Sequence, residues 1–360
     1  MNEKTPLIRL AKKKGMSKSK MLIIRLLSVV VALVIGGIVF LALGHNPFSA
    51  YAIMIKSSLG KTSAIKQVIK YAVPLLGTAL ALAPCFRMKY WNIGGEGQIT
   101  MGAVGATYFA LFWVNKLPRP VLLIACCLAA MICGALWSLI PGVFRARWGT
   151  NETLFTLMMN YIAIGIVRWL QGGPWEGKPG SQIIPHFAAK AVLPKVWGIH
   201  CGWILMLIVT VLMYIYMSKT KQGFEIAVLG ESVNTARYAG MNVEKVTIRT
   251  AALSGAICGF VGYLVACGAN GSLNADVAAG AGFTAITVCW LAQLNPFAMI
   301  LISLMLSVLS KGASMIQTEM GVPTSISDII TGIILLCMLG CEFFINYKMI
   351  FRGHHEKEAK

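Results

Sequence analysis

The run LIIRLLSVVVALVIGGIVFLALG, residues 22–44, holds a single charged residue, Arg25. About 20 apolar residues in a helix cross the hydrocarbon core of a bilayer, so this run reads as a membrane span. It exceeds the roughly 7–15 residues of a signal-peptide core, and Ala42-Leu43-Gly44 makes a poor cleavage site, so the span is expected to stay uncleaved. Runs of the same kind recur at 67–86, 92–113, 121–144, 153–171, 201–218, 250–269, 277–294, 296–314 and 326–347. Ten spans are therefore expected, with nine and eleven as alternatives, because the pair meeting at Asn295-Pro296 also reads as one kinked segment. The fold class is all-α and polytopic, with about ten transmembrane helices.

Composition agrees with that reading. The chain of 360 residues is 57% hydrophobic and only 12% charged, with a mean hydropathy of +0.72. A soluble domain carries roughly 25% charged residues, so one water-soluble core with a polar skin is excluded, as are disorder and a collagen-like fibre. The ten cysteines lie in or at the start of apolar runs, without a C-x-x-C pair or zinc-like His spacing, and read as small buried hydrophobes. Nothing in the sequence calls for a metal or a cofactor.

The formal charge of +19 would suggest nucleic acid in a soluble protein, but here the basic residues sit between apolar runs. With ten spans, 21 of the 32 Lys and Arg residues fall on the side of the two tails. The positive-inside rule then places both termini in the cytoplasm. The resulting plan is a basic tail over 1–21, a transmembrane domain over 22–347 and a second tail over 348–360. Within the domain, 172–200 forms an external loop, ordered or containing a short surface helix, and 218–250 lies inside. The inner segment holds a helix-compatible stretch, Ser232 to Ala239, which is either a solvated linker or a lever for a motor.

The motor itself is missing. Gly60-Lys61-Thr62 imitates the end of a P-loop, but Ile55 stands where the first glycine belongs, and no strand precedes it. Gly280-Ala281-Gly282 similarly lacks the strand and acidic residue of a dinucleotide site, so small residues packing helices in lipid explain it better, as for Gly255 and Gly259. The five histidines lie in loops or the tail, and no nucleophile motif or paired intramembrane aspartate is visible, which argues against an intramembrane enzyme.

Polar residues inside apolar runs are costly and tend to line pathways. The densest group is Asn92-Ile93-Gly94-Gly95-Glu96-Gly97-Gln98. It suits either an unwound backbone offering groups to a polar ligand or a plain cytoplasmic turn. A second group, Gly149-Thr150-Asn151-Glu152 with Asn160-Tyr161, opens the next inner helix, where Thr150 is a candidate cap and Glu152 sits near the positive end.

These two groups in order, with Gly172-Gly173-Pro174-Trp175 and the stretch from Gly230-Glu231 to Gly240, resemble the permease subunit of bacterial ABC importers. The likeness is to the nucleoside-uptake branch, beside the simple-sugar and branched-chain amino acid permeases, and runs from about Gly44 to Tyr347. It implies a subunit of the bacterial cytoplasmic membrane that carries nucleosides inward, with a simple sugar as the alternative cargo. The implied partners are an ATP-binding cassette ATPase, a second permease and an external substrate-binding lipoprotein, with no nucleic acid. It makes Asn92, Gly94, Glu96, Gln98, Asn151, Glu152 and Asn160 candidates for the substrate pathway. Gly230, Glu231, Ala236, Arg237 and Gly240 become candidates for coupling to the ATPase. Related importers carry Glu-Ala-Ala-x-x-x-Gly at that place; only Ala236 and Gly240 match here, so the role rests on the whole segment.

Overall fold

The computed structural model describes residues 8–12, 18–321 and 347–351, together with scattered positions between 326 and 345. Six helices among them are long and apolar enough to cross a membrane. They are α3 (Thr62–Arg87), α5 (Arg119–Trp148), α6 (Glu152–Gln171), α7 (Gly202–Lys219), α10 (Val243–Tyr263, continued as a π-turn to Asn270) and α12 (Pro296–Met320). The segment expected to span at 326–347 falls largely outside the described residues.

Two expectations are corrected. The run 22–44, expected to span as one uninterrupted helix, lies in α1 (Lys18–Ala42), which bends by 115° into α2 (Pro47–Leu59); the two helices qualify only together, as one broken span or a re-entrant loop. Asn46 starts α2 by accepting from the Phe48 amide, and Pro47 at the first helical position needs no N–H partner. The run 277–294 is not a complete helical span, because it contains only the 11-residue α11 (Ala281–Leu291), entered through turns. The loop over 172–200, expected to be ordered or to contain a short surface helix, has no helix and carries a hairpin of β2 (Lys195–Val196) and β3 (Ile199–His200).

The chain divides into two compact units. In the first, residues 1–60 and 309–360, β1 (Ile8–Lys12) pairs antiparallel with β4 (Tyr347–Phe351). In the second, residues 61–308, α10 lies against α5 and α4 (Gly95–Phe112). A Cβ on Gly259 would land on Ala130 O, and one on Gly255 on Gly134 O, so both glycines are needed where the backbones touch. Ser138 Oγ adds a hydrogen bond to Ala251 O at 2.8 Å.

The loop after α7 forms two helices, α8 (Lys221–Glu231) and α9 (Val233–Tyr238). Ile226, Leu229 and Ala236 pack into a buried cluster with Cys85, Met88, Tyr90 and Val246, which seats both helices on the ends of α3 and α10. Ion pairs Arg249–Glu225 (2.7 Å) and Arg147–Glu244 (2.9 Å) flank that seat.

Candidate functional site

The Asn92–Gln98 stretch enters α4, and its polar side chains are buried: Asn92 is fully enclosed, and Gln98 and Asn160 nearly so. A buried polar group needs partners, and these find one another. Asn92 Oδ1 accepts from the Gly94 amide (3.0 Å) and from Gln98 Nε2 (3.1 Å), while Asn92 Nδ2 donates to Ser254 on α10 (3.2 Å). Asn160 on α6 accepts from the Gly97 amide (2.8 Å) and donates to Ile93 O (3.0 Å). The glycines give it room: a Cβ on Gly97 would stand 2.9 Å from Asn160 Oδ1, and one on Gly94 3.0 Å from Asn92 Oδ1.

Glu96 reaches further. Its carboxylate accepts from the amides of Gly280 and Gly282, each at 2.8 Å. Those amides open α11, whose own cap residue Gly280 has φ +74° and no side chain to offer. A helix N-terminus presents unpaired N–H groups and a partial positive charge, and a carboxylate satisfies both. Glu96 thus caps α11 from another helix. Gly282 lies so close that a Cβ there would fall on the Glu96 amide nitrogen.

Among the other candidates, Asn151 stands apart: it is exposed and caps α6 by accepting from the Leu154 amide (3.2 Å). That corrects the expectation for Thr150, whose hydroxyl has no partner among the described residues. Glu152 is buried, pairs with Arg145 (3.2 Å) and accepts weakly from the Trp91 amide (3.4 Å) at the rim of the cluster. Beside that rim, Trp290 stacks on Trp91 and on Phe86, and Phe86 lies tilted against Trp91, with ring centroids 5.6–5.9 Å apart.

Sequence reasoning missed Thr156, Ser254, Gly280 and Gly282. Thr156 Oγ1 accepts from the Ile93 amide (3.1 Å) and donates to Glu152 O (2.7 Å). Gly280 and Gly282 had a visible signal, two glycines inside an apolar run, whose role as donors depends on a carboxylate 184 residues earlier in the chain.

The coupling candidates divide by exposure. Ala236 is buried, whereas Glu231 and Arg237 are exposed. Gly230 lies against Arg87 O with no space for a Cβ. Ser232 caps α9 through the Thr235 amide (3.2 Å), and Gly240, φ +74°, turns the chain out of it. Tyr238 is 93% exposed at the end of α9.

The family described as branched-chain amino acid transport system / permease component matches residues 64–339. A glucose ABC transporter permease of Haloferax volcanii is 32% identical over 90% of this chain and 88% of its own length. The guanosine ABC transporter permease NupP of Bacillus subtilis is 29% identical over 88% of this chain and 92% of its own. A nucleoside ABC transporter permease of Lactococcus lactis is 27% identical over 93% of each chain.

Proposed function

This chain belongs to the branched-chain amino acid transport system / permease component family, and on that premise we propose that it forms the membrane pathway through which an ATP-driven importer passes nucleosides inward. The observation that carries the reading is the discontinuous span: a short helix, α11, begins within the protein on the Glu96 carboxylate. Broken helices of this kind are tolerated where backbone is enclosed by protein or lines a pathway. Asn92, Gly94, Glu96, Gln98 and Asn160 hold that broken helix in register and so frame the path. Asn151 and Glu152 fix the entrance of the neighbouring helix α6. The chain performs no covalent chemistry; an ATPase subunit supplies the energy.

The segment 218–250 couples the two, with α9 as the docking element and Gly230, Glu231, Ala236, Arg237 and Gly240 setting its seat and exit. A second permease completes the pathway, and a lipoprotein delivers cargo to the face carrying 172–200. The tails over 1–21 and 348–360 lie in the cytoplasm, and the assembly sits in the bacterial cytoplasmic membrane. The nucleoside relatives from Bacillus and Lactococcus support a nucleoside cargo. The glucose permease of Haloferax favours the second reading, a simple sugar.

Competition in the reconstituted importer separates them. Excess guanosine or uridine should block uptake of labelled nucleoside, and ribose or glucose should not. Transport of labelled glucose, unaffected by nucleosides, would move the assignment to the sugar.

A further inference from the structure

At the start of α3, opposite the end that carries Arg87, a cleft of about 410 Å³ opens beneath the β2–β3 hairpin. Lys66 and Lys70 line it from α3, Lys195 from β2, and His200 from β3, with Asn270 and Gly268 of the π-turn forming its floor. The loop is pinned there by backbone bonds from Leu193 to Cys267 O (2.9 Å) and from Phe187 to Gly271 O (2.7 Å). The Lys66 ammonium rests against the hairpin turn, where a Cβ on Gly198 would stand 2.9 Å from it.

Two features of this cleft need an explanation. Three cations face one space without a carboxylate among the lining residues, and none of the three forms an ion pair among the described residues. His200 is 4% exposed, and neither ring nitrogen has a hydrogen-bond partner among the described residues. Like charges gathered in a low-dielectric recess repel, and a buried imidazole without partners costs free energy. An oxyanion answers both: it neutralises the lysines and offers acceptors to an imidazole N–H.

We propose that this cleft is a binding site for a phosphate oxyanion, held by Lys66, Lys70 and Lys195 and oriented by His200. The group reaches it either as a free phosphate or as the headgroup of an anionic lipid, and both satisfy the same chemistry. The site does not depend on which cargo the pathway carries. A bound anion also favours the protonated imidazole. Burial, and next the charge of Lys70, hold His200 down at about 4.

The test is a lysine footprint on the complete transporter in nanodiscs of phosphatidylcholine. An amine-reactive label is read by mass spectrometry at Lys66, Lys70 and Lys195, with Lys116 and Lys178, outside the cleft, as references. Adding inorganic phosphate should protect the three cleft lysines and leave the references unchanged. Lys195→Gln, on an exposed strand, should raise the phosphate concentration for half-protection at Lys66 about tenfold, the loss of one charge-assisted contact. Protection without added phosphate in nanodiscs containing phosphatidylglycerol, and none by inorganic phosphate, identifies the lipid headgroup as the source. Labelling of the cleft lysines that neither inorganic phosphate nor phosphatidylglycerol changes relative to the references overturns the site.

Discussion

Removing the Glu96 carboxylate would leave the first amides of α11 without acceptors, and a buried unsatisfied N–H costs about 1–3 kcal/mol. Glu96→Ala is therefore expected to lower the melting temperature and the amount of assembled transporter together with uptake. Glu96→Gln keeps one acceptor oxygen and should lose less. Uptake that collapses in Glu96→Ala while assembly stays at the wild-type level would make Glu96 a contact for cargo and not a lock. Gly282→Ala should resemble Glu96→Ala, because its methyl group would fall on the Glu96 amide. His200 adds a pH dependence. Its folded value of about 4 lies below the ordinary 6.5, so the unfolded chain binds the extra proton between the two. The contribution of neutral His200 is complete above pH ~6.5 and is lost as pH falls toward 4. Melting curves in phosphate-free buffer should show the wild type losing more stability over that window than His200→Gln; parallel curves would sink the assignment.

At the scale of elements, α9 is six residues long and cannot be stable by itself, so its position depends on Ala236 in the buried cluster, the Ser232 cap and the turn at Gly240. Gly240 has open space around it, which means a side chain there meets no neighbour and suffers only the strain of φ +74°. Gly240→Val should therefore reorient the exit of α9 without disturbing the membrane helices. Tyr238 leaves an aromatic ring almost wholly in solvent, the kind of residue that anchors a protein interface. Tyr238→Ala should leave the abundance of the permease unchanged while uptake falls several-fold and ATP hydrolysis continues. Normal uptake in that variant would place the coupling contact elsewhere. This helix was legible in sequence as the helix-compatible stretch Ser232 to Ala239, and the structure makes Ser232 its cap and Gly240 its exit turn. The α11 region was not: its apolar run from 277 to 294 has the length of a span, and left-handed turns at both ends, Ala279 and Gly280 before it and Gln293 and Leu294 after it, shorten the helix. Likewise α2 was not foreseen, because the apolar run ends at Gly44; Gly44 stands in the elbow and Pro47 is the first helical position.

For the whole molecule, hydropathy carries most of what can be read, because spans bury their backbone groups internally whatever their neighbours do. Burial inside the protein is a separate matter. α3 is largely enclosed by protein, with 78% of its apolar window buried, while α5 has 22%, although both read as equally ordinary spans. What distinguishes them is the company they keep in three dimensions, and no single run contains that information. The expected sidedness comes from the concentration of Lys and Arg on one side of a ten-span chain, and the pairing of β1 with β4 fits it, because residues 8–12 lie beside residues 347–351. Ends on one side require an even number of crossings, so a single added or missing span would separate them. Reporter fusions check this directly. Fusions after Lys221 and at the C-terminus should report cytoplasm, and one placed within residues 177–190 should report the outside. An outside signal from the C-terminus would break the β1–β4 pairing and the even count together, whereas a cytoplasmic signal from 177–190 would put the oxyanion cleft and its hairpin on the ATPase side.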